Sequence, residues 1–263
     1  MPFTFCHAAA VVPLARRLRL PLSALVVGSM SPDFMFYATL WPDSDIGHRL
    51  VDLLVFCLPS GLLVLWLWHA VMKKAAMDLL PAALRQRLTV PTAAPFTFWP
   101  GGRLLTVAGA IVLGACTHDV WDAFTHPDGW VVLQAPVLQA SFQLPGLGAV
   151  PVYKLLQHLS TLVGGALLLW WFWQWLHTAP AASWPVVLAR GPVLLVLLLP
   201  LAAGLGFGYA RWQAGPPVGY MAVRNLLVVG LVTSITALWI ELMLLGLYRL
   251  RKTKRVTPVE MAR

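Results

Sequence analysis

Charge is scarce in this sequence: Asp, Glu, Lys and Arg together make up 11% of 263 residues, against roughly a quarter in ordinary soluble domains. That shortage excludes a water-soluble globular domain, whose core would be interrupted by polar loops every dozen residues or so. Cysteine is scarcer still, since Cys6, Cys57 and Cys116 stand apart in apolar surroundings. Neither a disulfide framework nor a Cys-x-x-Cys site is expected from them. The chain also lacks a P-loop, a dinucleotide-binding glycine fingerprint and a serine-elbow motif, so nucleotide-driven, hydride-transfer and serine-hydrolase chemistry have no support. No repeat of fixed period and no low-complexity tract is visible. No cleavable signal is expected at the amino terminus, because Cys6-His7 and then Arg16, Arg17 and Arg19 interrupt its apolar stretch.

What the chain has in abundance is apolar sequence, 59% of its residues, with a mean hydropathy of +0.75. Several runs reach the about 20 residues that a helix needs to cross a bilayer. They are Val51 to Met72, Leu104 to Cys116 running into Thr117-His118-Asp119, Leu155 to Leu176, Trp184 to Tyr209, and Leu226 to Tyr248. Between Ala8 and Met30 the arginines and Pro21 rule out a single long helix, and two short helices are expected there, interfacial or re-entrant. The predicted fold is therefore all-α, a polytopic integral membrane bundle with five spans and short amino-terminal helices. Residues 1–176 form a membrane domain holding most of the polar candidates, 177–250 a carboxyl-terminal pair of spans, and 251–263 a basic, disordered tail. Pro91, Pro95 and Pro100 mark a loop between the first two spans.

Basic residues suggest an orientation, because short cytoplasmic loops retain them. Lys73, Lys74, Arg85, Arg87 and Arg103 fall between the first two spans, and Arg249, Arg251, Lys252, Lys254 and Arg255 follow the fifth. With five spans both groups share a side, which is read as cytoplasmic. Trp66, Trp68, Trp170, Trp171, Trp173 and Trp175 lie at span edges, as interfacial rings do. Arg16, Arg17, Arg19 and Arg49 are left on the opposite side by this scheme. The net charge of +9 fits contact with anionic headgroups, so membrane lipids are the expected partners and nucleic acid is not.

The span order gathers polar residues that are far apart in sequence. His48 precedes the first span, His118 ends the second and His158 opens the third, so all three reach one face. His7 and Asp33 flank the short amino-terminal helices and can reach it too. Within Thr117-His118-Asp119-Val120-Trp121-Asp122-Ala123-Phe124-Thr125-His126, His118 and Asp122 are four apart, hence stacked along a helix at metal-ligand spacing. His126 extends the row before Pro127-Asp128-Gly129 ends the helix. Imidazole with carboxylate is the ligand set of zinc and related divalent ions. A structural polar network is the alternative: His7 as a helix cap, Asp33 as a turn residue, His48 as an interfacial side chain. Asp119 is expected to point away into solvent. Glu241 is expected to pair with an arginine or a tyrosine, and His69, His177 and Arg190 lie at the opposite edge.

The opening Met1-Pro2-Phe3-Thr4-Phe5-Cys6-His7, the stretch Leu22 to Phe34 with Ser31-Pro32-Asp33, the Trp121 to His126 segment, and Tyr153-Lys154 with Gln157-His158-Leu159-Ser160 resemble the bacterial DUF4184 membrane proteins over roughly residues 1 to 165. That family is in turn similar to YdjM-type membrane-bound metal-dependent hydrolases and, more remotely, to the zinc phospholipase C and P1 nuclease superfamily. The resemblance nominates His7, Asp33, His48, His118 and Asp122 as metal ligands, with His126 and His158 as second choices. Two positions depart from the pattern: Ala8 stands where a proline is usual, and Gly47 where a small hydroxyl residue is usual, which could loosen the bonding that orients His48. A bacterial cytoplasmic membrane is the implied location.

If the cluster is catalytic, metal-dependent hydrolysis of a phosphodiester or other headgroup ester fits, with zinc the expected ion, Asp122, His126 and His158 as catalytic candidates and Lys154 and Gln157 as substrate contacts. Lys154 is equally readable as a snorkelling side chain. The alternative class is a non-enzymatic membrane protein, an ion, proton or lipid transporter or a scaffold. Against transport, only the fourth span is interrupted by Pro and Gly, at Pro192, Pro200, Gly204, Gly206 and Gly208, with no matching half.

Overall fold

The computed structural model describes residues 4–42, 45–93, 96–144, 148–181, 191–214 and 220–256. Among them, helices long and apolar enough to cross a membrane are Leu53–Leu79, Gly101–Asp122, Val152–Thr178, Gly191–Gln213 and Ala222–Lys252, called here the first to fifth spans. The all-α, five-span reading of the sequence is what the chain adopts. The first span outruns its apolar stretch, continuing through Lys73 and Lys74 to about 40 Å at 1.5 Å per residue. It ends at Leu79 because Leu80 precedes Pro81 and is held in extended backbone, φ −74° and ψ 146°. The expected start of the fourth span, Trp184 to Arg190, lies outside the described residues, as does the tail beyond Val256.

The stretch marked by prolines between the first two spans is not all loop, for a helix occupies Ala82–Ala93. Pro91 falls in its last turn, where a missing N–H removes one backbone bond without interrupting further turns. Pro95 lies outside the described residues, and Pro100 caps the second span from extended backbone.

The chain divides into two compact units. The first comprises Met1–Phe34, Asp45–Leu63 and Thr97–Thr178. Here α1 (Ala8–Leu18) and α2 (Leu22–Met30) form a helical hairpin. Arg19 turns it in left-handed backbone at φ 54°, and Pro21 holds the next step extended. α2 lies parallel to the second span with its backbone almost touching: a Cβ on Gly28 would sit 2.2 Å from the Ile111 oxygen, and one on Gly114 2.4 Å from that of Leu25.

The hairpin is deep. Its tip, Arg19-Leu20-Pro21, lines a cavity with Gly102, Arg103 and Thr106 at the start of the second span. Arg16 lies over the Trp171 ring, 5.9 Å from its centroid, towards the far end of the third span. The tip arginines therefore do not remain beside His7 and Asp33. α1, with 11 residues, extends about 16 Å, enough to carry them toward the other end of the unit. A short antiparallel pair that the sequence did not announce, β1 (Ser141–Leu144) and β2 (Gly148–Pro151), leads into the third span, with Ser141 opposite Pro151.

The second unit comprises Met35–Ser44, Val64–Phe96 and Ala179–Arg263. Its fourth and fifth spans meet through small residues, and Thr233 donates to the Gly206 carbonyl at 2.8 Å. Arg249 pairs with the Asp78 carboxylate and donates to the Lys74 carbonyl at 2.6 Å. Glu241 does not meet the expected arginine or tyrosine, since its carboxylate oxygens accept no hydrogen bond among the described residues. Arg249, two turns further along the same helix, is committed to Asp78.

Candidate metal centre

Four segments of the first unit deliver one ligand-type side chain each to a common point, or two in the case of the second span. His7 closes the 3-10 turn Thr4–His7 ahead of α1, and Asp33 closes the turn Ser31–Asp33 after α2, so both ends of the hairpin meet there. His118 and Asp122 occupy the last turns of the second span. His48 is carried by the loop ahead of the first span. That loop is tied by Asp52, whose Oδ2 accepts the Gly47 amide at 3.1 Å and the Arg49 amide at 3.4 Å. Gly47 has φ 110°, and a Cβ on it would lie 2.2 Å from the Pro32 oxygen. Glycine is thus what this turn demands, and Asp52 holds the loop through its backbone amides.

The contacts are short and converge. His118 Nε2 lies 3.2 Å from Asp122 Oδ2 and 3.6 Å from Asp33 Oδ1. His48 Nε2 is 3.5 Å from Asp33 Oδ1 and 4.0 Å from Asp122 Oδ2. His7 Nε2 is 3.6 Å from Asp122 Oδ1, and its ring stacks on that of His118 with centroids 3.8 Å apart. Asp33 and His118 are wholly buried, and His7 and Asp122 are 6% exposed.

Yet His7 Nε2, His118 Nε2, Asp33 Oδ1 and both Asp122 oxygens make no hydrogen bond among the described residues. Buried polar atoms that aim at one another without bonding leave a large penalty unmet. A cation between them would remove it. Two overlapping triads, His7–His118–Asp122 and Asp33–His48–His118, have ligand atoms close enough to hold a metal ion. For metal–ligand bonds of about 2.0–2.1 Å the edge of a tetrahedron is about 3.3–3.4 Å, and most of these separations fall near it.

Surrounding groups aim the ligand atoms. Thr4 Oγ1 donates to Asp33 Oδ2 at 2.6 Å, leaving Oδ1 for the centre. His118 Nδ1 is 2.8 Å from the Ser29 carbonyl oxygen. Electrostatics separates the imidazoles. Burial, with His118 adding, pushes His7 down to about 3, so it is neutral at pH 7. Burial acts the same way on His48 but is outweighed by the Asp33 carboxylate 3.5 Å away, which raises it above an ordinary histidine. Asp33 loses to burial and gains more from His118, His48 and Thr4, which hold it below the usual carboxylate range.

The remaining candidates form a second tier. His126 Nδ1 is 3.4 Å from Asp122 Oδ2 and 3.3 Å from the Asp122 carbonyl oxygen, and its Nε2 is 3.3 Å from the Gln157 amide nitrogen. Burial lowers its pKa. The second span ends at Asp122, a turn before His126, so His126 reaches back from a turn rather than extending the helical row. Gln157 is buried, facing His126, whereas His158, the next residue round the helix, is exposed and Lys154 half-buried. Neither His126 nor His158 belongs to the two triads.

Asp119 is not turned out to solvent. Both its carboxylate oxygens are buried without a hydrogen bond among the described residues. Leu53 and Cys57 of the first span pack on Ala115 one turn earlier and cover that side. Thr4, Ser29 and Asp52 also went unmarked in the sequence reading, since only the folded chain brings them to the ligands. Cys6, Cys57 and Cys116 are all free thiols.

Fold and centre together define the class: a multi-pass α-helical membrane protein with a buried His/Asp cluster that could hold a metal ion. Within that class the chain belongs to the family described as a domain of unknown function, DUF4184, which it matches over residues 1–247. No curated protein and no solved structure matches it.

Proposed function

We propose that this protein is a membrane-embedded, zinc-dependent hydrolase acting on a phosphodiester or other ester at lipid headgroup level. The observation that carries the reading is the convergence of five buried or half-buried ligand-type side chains, four of which, His7, Asp33, His118 and Asp122, turn buried polar atoms without a hydrogen bond among the described residues toward one another. His7, Asp33, His48, His118 and Asp122 would hold the ion. Zinc suits a mixed imidazole and carboxylate set with edges of this length. It would supply Lewis acidity, acidifying a water and polarising a phosphoryl oxygen. His126, in contact with Asp122 and with its pKa lowered by burial, would take up a proton. Lys154 and His158, on the same turn of the third span, are suited to a headgroup phosphate. The resemblance of the motif order to that of YdjM-type hydrolases points the same way.

The basic ends of the spans favour a cytoplasmic carboxyl terminus and a centre on the opposite side of a bacterial cytoplasmic membrane. Arg16 and Arg19, drawn toward Arg103 by the hairpin, now agree with that orientation.

A second reading, a proton path or structural network, is favoured by one observation: His48 and His118 each lie within 4.0 Å of a carboxylate and could neutralise it by protonation. Elemental analysis of detergent-purified protein, wild type against His118→Ala and Asp122→Ala, decides between them when joined to a phosphodiesterase assay on mixed lipids with and without chelator. Near-stoichiometric zinc, lost in both variants, with chelator-sensitive cleavage, is the expected result. Wild-type protein that holds no ion after gentle purification and zinc supplementation sinks the hydrolase and leaves the network.

A further inference from the structure

A cavity of about 360 Å³ opens beside the cluster, between α1 and the third span. That is the size range of ligand pockets, about 300–1,000 Å³. One wall at its upper end is His7, and the others include Ala10, Trp121, Leu156, Val163 and Leu167. From Leu156 to Leu167 it follows the third span for about 16 Å at 1.5 Å per residue, close to the half-thickness of a hydrocarbon core of about 30 Å.

Its chemistry is that of hydrocarbon. Two of the polar side chains lining it are already engaged: Cys6 Sγ donates to the Thr161 carbonyl at 3.3 Å, and Ser160 donates to the Leu156 carbonyl. Small residues make the space, for Ala9 and Ala10 face the third span and a Cβ on Gly164 would lie 3.0 Å from the Cys6 oxygen. An occupant therefore gains apolar burial along the groove and reaches the His/Asp cluster at the His7 ring, whose Nε2 is turned to Asp122.

We infer that this groove holds one acyl chain of a membrane lipid, placing that lipid's headgroup at the His/Asp centre. A soluble phosphodiester would leave the groove unused. The inference rests on the hydrolase reading only in calling the lipid a substrate; chain binding stands by itself.

The test is photo-crosslinking of the full-length, detergent-purified protein with a phospholipid carrying a diazirine midway along one acyl chain, titrated at low mole fraction in the micelles. Labelling at Ala10, Val163 and Leu167, mapped by peptide mass spectrometry, should saturate near one lipid per chain. It should fall roughly tenfold in Ala10→Trp and in Val163→Trp, the equivalent of about 1.4 kcal/mol of lost binding. Labelling at Leu197, exposed on the fourth span, should rise without saturation and stay unchanged. Val163 is itself exposed, so that variant keeps the test open if Ala10→Trp does not fold. Groove labelling that rises without saturation, or persists undiminished in a folded variant, overturns the proposal. Zinc is measured in the same samples. Metal-free protein with saturable labelling removes the hydrolase and keeps the acyl site; metal-loaded protein without it removes the acyl site alone.

Discussion

The Ser29 carbonyl oxygen lies 2.8 Å from Nδ1 of His118 and so decides which ring nitrogen carries a proton. A carbonyl can only accept, hence Nδ1 holds the hydrogen and Nε2 faces Asp33 and Asp122. This arrangement depends on the close approach of α2 to the second span at Gly28 and Gly114. Widening that contact by a single methyl would move the acceptor away from the ring. Gly28→Ala is accordingly expected to weaken zinc binding and lower the melting temperature together, and unchanged zinc affinity in a folded variant would contradict this.

Thr4 acts on the centre through Asp33. Removing its hydroxyl in Thr4→Val leaves Asp33 Oδ2 without a donor and Oδ1 free to swing. Outer partners of metal ligands are worth about 10- to 100-fold in affinity, so a zinc dissociation constant raised at least tenfold is expected from a competitive chelator titration, with rescue by Thr4→Ser.

Gly47 sets the loop that presents His48. Substitution to alanine forces a side chain at φ 110° against the Pro32 carbonyl, a strain on the order of 1–3 kcal/mol. Thermal unfolding should show the loss, and zinc should bind more weakly. Gly109→Ala, with nothing within 4 Å of the added carbon, should show neither effect.

Acid should release the ion. Protons compete for ligand nitrogens, and His48 holds its proton to a higher pH than an ordinary histidine. Zinc affinity should therefore climb as pH rises through and above 6.5, with protons released on binding. His7 is already neutral above about 3, so His7→Ala should weaken binding without altering the proton count between pH 6 and 8, whereas His48→Ala should reduce it. Calorimetry in buffers of different ionisation enthalpy reads that count.

Sidedness follows from the hairpin. With native cysteines replaced, a membrane-impermeant thiol reagent should reach Arg19→Cys and Arg103→Cys from one side and Asp128→Cys, an exposed position next to Gly129, from the other. Labelling of Arg19→Cys from the Gly129 side would mean that the hairpin does not reach the far end.

The spans were legible because a bilayer demands about 20 apolar residues in a row, and Arg19-Leu20-Pro21 told where the amino-terminal helices part. The depth of the hairpin was not legible, since it depends on Gly28 and Gly114, whose meaning appears only when the two helices touch. Which side of a span faces inward was equally hidden. In lipid both faces are apolar, so the sequence does not distinguish buried Gln157 from exposed His158, or covered Asp119 from a solvated one. Ligand positions fared differently: the polar residues at the hairpin ends and span end could be brought together from span order alone.

The hairpin also sets a clock. During synthesis His7 and Asp33 emerge early, while His118 and Asp122 follow after most of another hundred residues, which at about 5–20 residues per second takes on the order of 10 s. Through that interval the α1–α2 pair has no second span to lie against, and its end groups stay open to water, lipid or a chaperone. The proposed ion would meet its full ligand set only once Asp122 arrives, so metal supply would then govern how far the amino-terminal helices are locked into the newborn protein.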